Sequence, residues 1–138
     1  MLDSGGILAA LDRRQEEYGL FREALENASG PLIISPFVVS ELDHIIFDRY
    51  GRQQQLFFLG EVERGAYRLE RFSTQDLARA RSLHTQYADL KGLDLGDASN
   101  VVLAERYDSF DILTTDQRDF RVVAEAGGRH FRILPCDS

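Results

Sequence analysis

The chain reads as a single α/β domain, a largely parallel sheet with helices on both faces, and three observations predict this. Short apolar strand candidates alternate with amphipathic helices along the whole chain, with no internal repeat or linker to interrupt them. At 138 residues and 15.7 kDa there is room for one core and no second domain, so residues 1–138 are taken as one unit. With 43% apolar and 28% charged residues, the composition suits a chain that buries a core and excludes disorder as its main description.

Taken in order, the first strand candidate, Met1–Asp3, is short, because only Met1 and Leu2 precede Asp3 and part of the ladder is left unmade. Helices follow over Gly5–Asp12 and Glu16–Asn27. The run Pro31–Ser35 is a strand, and Ser35 before Pro36 is an N-cap with a first-turn proline, so a helix spans Phe37–Tyr50. A helix over Gln53–Val62 and a strand over Ala66–Arg71 come next. Ser73 and Asp76 have capping-box spacing ahead of a helix over Gln75–Leu90, with Leu77, Ala80, His84 and Tyr87 on one face. Helices over Asp97–Tyr107 and Arg118–Ala126 flank a strand over Phe110–Thr115. Gly127–Gly128 can take the positive φ that ends the last helix, and His130–Leu134 closes the sheet.

The net charge is −7, which argues against a protein that holds nucleic acid by bulk charge. Yet Lys91 is the sole lysine, and the other 15 basic residues are arginines, the side chain suited to bidentate phosphate contacts. Cys136 has no second cysteine to pair with, no run reaches the length of a membrane span, and the N-terminus lacks a signal-peptide pattern. A reducing, cytoplasmic setting is therefore expected.

Four carboxylates stand where a carboxylate costs energy or faces a ligand. Glu41 falls within the stripe Val38, Leu42, Ile45 and Ile46, so its side chain is expected to point along the inward face, where it needs a proton, an arginine or a metal. Asp3 and Asp116 end strand candidates, at the edge where open parallel sheets place their crevice. Asp97 opens a helix, where free N–H groups favour its ionised form. No basic residue adjoins them in sequence. If the four converge, the cluster repels itself, and a hard divalent cation with oxygen ligands, Mg²⁺ or Mn²⁺, is its natural counter-charge. Metal-assisted phosphodiester hydrolysis follows, since it asks for acidic ligands and no protein nucleophile.

The segments Leu2-Asp3-Ser4-Gly5-Gly6, Ser35-Pro36 with Ser40-Glu41-Leu42, Gly96-Asp97-Ala98 and Thr114-Thr115-Asp116, in that order and over almost the whole chain, resemble those of PIN-domain ribonucleases, most closely VapC toxins. The resemblance implies a PIN fold and an endoribonuclease dependent on Mg²⁺ or Mn²⁺. It also implies that Asp3, Glu41, Asp97 and Asp116 hold the metal directly or through water, with Ser4 and Thr114 supplying hydroxyls nearby. A fifth acid, Asp119, is read as a solvated helix residue with only a supporting claim on the site. A VapB-type antitoxin is the partner implied.

Other acidic α/β sites fit less well. A phosphoacceptor receiver needs a lysine after a late strand, and Lys91 precedes the late helix; a haloacid-dehalogenase-type phosphatase needs an aspartate where Gly5 stands. Serine-hydrolase, zinc-protease and nucleotide-loop motifs are missing, and His44, His84 and His130 are scattered. The alternative of a different class is a catalytically inactive PIN-like module that binds RNA or protein, its pocket filled by a partner's arginine. Phe47, Leu56, Phe57, Phe58 and Leu59 exceed what one buried helix face requires, which predicts a homodimer or antitoxin interface. Arg13, Arg14, Arg118 and Arg121 are the candidate RNA contacts, on or next to helices expected near the site.

Overall fold

The computed structural model describes residues 1–123 and 128–137. Four short strands, β1 (Ile33–Ile34), β2 (Arg68–Leu69), β3 (Asp111–Leu113) and β4 (Arg132–Leu134), pair in parallel as β1 with β2 and β3 with β4. A single residue joins the two pairs. Leu2 bridges Ile34 on one side and Leu113 on the other, both in parallel, giving the order β2, β1, Leu2, β3, β4. The expected first strand is thus reduced to one bridged residue, held by Leu2 N–H to the Ile33 carbonyl (3.0 Å), Leu113 N–H to the Met1 carbonyl (2.9 Å) and Asp3 N–H to the Leu113 carbonyl (3.0 Å).

Seven helices complete the described residues: α1 (Ser4–Leu11), α2 (Tyr18–Glu26), α3 (Pro36–Tyr50), α4 (Arg52–Glu63), α5 (Thr74–Gln86), α6 (Leu95–Tyr107) and α7 (Gln117–Val122). Alternation along the strands sends them to two faces. Ile112 and Ile133 join a core with Ala80, Leu83, Val101 and Phe120, whereas Leu2, Ile34 and Leu113 join a core with Ile7, Val38, Leu42 and Phe58. Helices α5, α6 and α7 therefore cover one face and α1, α3 and α4 the other. Each fully buried aliphatic chain contributes about 1.5–3 kcal/mol.

Most expected elements are present with shifted ends, and the shifts have local causes. Ser35 Oγ accepts from Phe37 N–H (3.1 Å) with Pro36 in the first turn, so α3 starts at the proline. Ser73 and Asp76 form a complete capping box, but the buried face of α5 is Ala80 and Leu83; Leu77 is exposed, so the stripe is rotated from the one expected. Helix α6 starts two residues before Asp97 because Asp94 is its N-cap. Helix α7 ends at Val122, where the backbone turns extended at Val123, instead of continuing to Ala126; residues 124–127, with Gly127 of the expected glycine stop, lie outside the described residues. Gly6 lets α1 lie on β3, since a Cβ there would meet the Leu113 carbonyl oxygen at 2.3 Å.

Candidate metal centre at the carboxyl edge of the sheet

At the carboxyl edge of the sheet, the Leu2 bridge and strand β3 both lead into aspartates that open helices. Asp3 follows the Leu2 bridge and occupies the N-cap position of α1 without capping it through its side chain. Asp116 stands in the same relation to α7. Because neither carboxylate is spent on its own helix, both remain available to a ligand.

Thr114 connects the two. Its Oγ1 accepts from Asp116 N–H (2.9 Å), which orients its own proton toward Asp3 Oδ2 (2.7 Å). Asp97 enters from α6: Asp94 Oδ1 accepts from Asp97 N–H (2.8 Å), and Asp97 Oδ2 accepts from Asp94 N–H (3.2 Å). This reciprocal box fixes the first turn of α6 and points Asp97 at the sheet edge. Ser99 Oγ, one turn on, lies 2.6 Å from both Ser35 Oγ and the Gly96 carbonyl, tying the start of α6 to the start of α3.

Asp97, Asp116 and Asp119 each bring one carboxylate oxygen within 4.8 Å of the other two. Asp97 and Asp119 are buried and Asp116 is half-buried. No arginine or lysine forms an ion pair with any of the three among the described residues. The electrostatic strain shows in the protonation equilibria. Burial pushes Asp3 up to about 6, against the Thr114 hydroxyl that holds it down. Burial, then the charges of Asp3 and Asp94, raise Asp97 well above the usual carboxylate range. A set of oxygen donors that resists its own ionisation, with no ion-pair partner among the described residues, fits a hard divalent metal.

Over residues 1–126 the sequence matches the PIN domain family. It is 33% identical to the ribonuclease VapC26 of Mycobacterium tuberculosis over 135 residues, spanning 98% of this chain and 99% of that one. The chain belongs to the PIN-domain family, among the VapC ribonucleases. Its fold is that of VapC20 from Mycobacterium tuberculosis, a sarcin–ricin loop cleaving toxin, with a TM-score of 0.76 over 84% of this chain and 88% of that one at 12% identity.

In this VapC-type domain the acids expected from sequence occupy one edge, with two corrections. Glu41 does not point inward; it is exposed. Val38, Leu42 and Ile46 are the buried stripe of α3, and Glu41 lies beside it at the pocket rim, where its Oε1 accepts from Ser4 Oγ (3.0 Å). Asp119 is not solvated but 3% exposed and within the cluster. One turn of α7 separates it from Asp116, so a three-residue spacing at a strand-to-helix junction was the available signal. Asp94, the cap that aims Asp97, was readable from its three-residue spacing to Asp97.

The arginine candidates separate. Arg14 pairs with Asp12 (3.2 Å) and lies over the Tyr50 ring, and Arg13 lines the same cleft; α1 runs away from Asp3 for eight residues, about 12 Å, before reaching them. Arg121 is paired with Asp137 (2.7 Å). Arg118 adjoins Asp119 and is exposed. None of the three histidines belongs to the acidic cluster.

Proposed function

We propose that this VapC-type ribonuclease is an endonuclease that holds Mg²⁺ or Mn²⁺ on Asp97, Asp116 and Asp119, with Asp3 and Glu41 as ligands directly or through water. The single observation that carries the proposal is the meeting of three carboxylates within 4.8 Å, with no ion pair to any of them among the described residues. A bound divalent ion would supply the positive charge that the phosphodiester and its leaving oxygen require and would polarise a water for attack.

The chain's own residues do the rest. Asp94 and Thr114 fix two ligand-bearing segments before any ligand arrives, so little reorganisation accompanies binding. Ser4 holds the rim carboxylate of Glu41, which is exposed enough to take a proton from water entering the pocket.

The substrate is RNA and the partner a VapB-type antitoxin, as VapC membership implies, in a cytoplasmic setting; no helix among the described residues is long and apolar enough to cross a membrane. A cleft of about 840 Å³ between α1, α2, α3 and α4, floored by Leu8, Leu25, Phe57 and Tyr67 and edged by Arg13 and Arg49, offers an apolar seat for such a partner. Phe47, Leu56 and Phe57 are exposed, while Phe58 is core, so the apolar excess of this stretch is truly at the surface and supports an antitoxin or homodimer interface.

The test is cleavage of total RNA by the purified protein with Mg²⁺ or Mn²⁺, in EDTA, and with Asp116→Asn. Cuts at a few mapped positions that vanish in EDTA and in the variant support the proposal. Cleavage that survives both overturns it, and no cleavage by the wild type under any cation favours the inactive binding module. Light scattering of wild type and Phe57→Glu decides the homodimer.

A further inference from the structure

We propose that Arg118 is the clamp that holds an RNA backbone phosphate next to the acidic centre; this rests on the ribonuclease function proposed above. The problem it solves is electrostatic. A chain of net charge −7 repels RNA at long range, so a polyanion must be held by cations that are free and local.

Most of the arginines are not free. Arg14, Arg22, Arg64, Arg79, Arg106, Arg121, Arg129 and Arg132 are tied to carboxylates of this chain. Among the described residues, Arg13, Arg49, Arg52, Arg68, Arg71, Arg81, Arg118 and Lys91 have no carboxylate partner. Arg13 and Arg49 line the cleft between α1 and α4, Arg52 starts α4, and Arg68, Arg71 and Arg81 belong to the β2 to α5 segment. Arg118 and Lys91 alone of these belong to segments that touch the cluster.

The contact runs through Gly92. A Cβ built on Gly92 would meet Asp119 Oδ2 at 2.8 Å and the Arg118 guanidinium at 3.8 Å. Gly92 is therefore pressed against the buried Asp119, with the guanidinium of Arg118 flanking the same point. Arg118, in the first turn of α7, stands between the N-cap Asp116 and Asp119 in sequence, yet it pairs with neither. A guanidinium kept unpaired beside a buried carboxylate, with its outer donors exposed, presents the bidentate fork that a phosphate accepts. Backbone contacts carry no sequence information, so this clamp sets affinity and strand position without choosing the target.

The experiment measures binding of a synthetic sarcin–ricin-loop hairpin and of total transfer RNA by fluorescence anisotropy in Ca²⁺, and cleavage of both in Mn²⁺, from 50 to about 200 mM salt. Arg118→Ala is expected to lower the slope of log affinity against log salt by about 1 and raise KM about tenfold, equally for both RNAs, with kcat and Mn²⁺ affinity unchanged. Arg118→Lys should keep the slope, and Arg81→Ala should match wild type. Equal salt slopes for wild type and Arg118→Ala overturn the clamp, as does a loss confined to kcat or to Mn²⁺ affinity. A wild type that binds RNA with the Arg118-dependent slope yet never cleaves supports the clamp and breaks the nuclease function instead.

Discussion

The two ends of strand β3 carry the same residue type in opposite electrostatic conditions. At its amino end Asp111 faces Arg132, its register partner on β4, and the two form a bidentate pair with both contacts at 2.9 Å. Past its carboxyl end Asp116 meets Asp97 and Asp119, and none of the three forms an ion pair among the described residues. Parallel register places strand starts beside strand starts, so one arginine neutralises the amino end cheaply in open solvent. The carboxyl end gathers acids from three separate junctions, and no ion pair among the described residues balances them. An edge that folding leaves uncompensated is an edge reserved for a ligand.

The largest way to break this comparison is to neutralise one acid at each end. Asp97→Asn and Asp116→Asn should each lower RNA cleavage at least about a hundredfold, because several kcal/mol of charge stabilisation are withdrawn at 1.36 kcal/mol per decade. Circular dichroism should show both variants folded. Asp111→Asn, the same chemical change at the other end, should leave cleavage within about twofold. Full activity in Asp116→Asn would remove the basis for a metal centre.

Asp119→Asn sharpens the ligand set. As a buried member of the cluster it should cost about 10- to 100-fold in Mn²⁺ affinity, read by titration, a range typical of groups that hold or orient a metal ligand. An unchanged affinity would return Asp119 to a packing role.

Most of the architecture was legible in the chain itself. Ser35-Pro36 and Ser73 with Asp76 state their helix starts through backbone chemistry that acts within three residues, and the structure shows both caps. The acids at strand ends were legible for a topological reason, since parallel sheets open at that edge. The exposure of Glu41 was not, because periodicity says which stripe is buried but not where the neighbouring element stops; a residue beside the stripe is buried or open according to what α1 and α6 leave uncovered. Asp119 escaped for the converse reason. The close approach of Gly92, distant in sequence, helps to cover it.

Stability without metal gives a smaller effect with a definite sign. Asp3 titrates at about 6 in the fold against 3.8 when unperturbed, so between those values the folded state holds a proton that the unfolded chain has released. Stability is therefore full below the lower value and falls as pH rises through the window, by about 3 kcal/mol at most. Denaturant unfolding in EDTA should show this decline between pH 4 and about 6.5, and Asp3→Asn should flatten it. Asp97→Asn should stabilise the metal-free protein at neutral pH by the same logic, and Mn²⁺ should stabilise wild type more than either variant. A wild type that gains stability relative to Asp3→Asn as pH rises in EDTA would contradict a self-repelling edge.

The smallest effect belongs to the balanced end. Asp111 and Arg132 are each about half exposed, with side-chain accessibilities of 47% and 56%, so water and salt screen their attraction. Their geometry is bidentate and their backbones are held in register by β3 and β4, which lowers the entropy of holding the pair together. A double-mutant cycle with Asp111→Asn and Arg132→Gln should give a coupling of about 0.2–1 kcal/mol that shrinks further in 1 M salt. Cleavage and Mn²⁺ affinity should follow wild type throughout, because the pair stands at the opposite end of the strand from the acids. A coupling above about 2 kcal/mol, insensitive to salt, would show that the amino end is as electrostatically loaded as the carboxyl end. The contrast between them would then lie in the sign of their neighbours alone, not in how much energy each end stores.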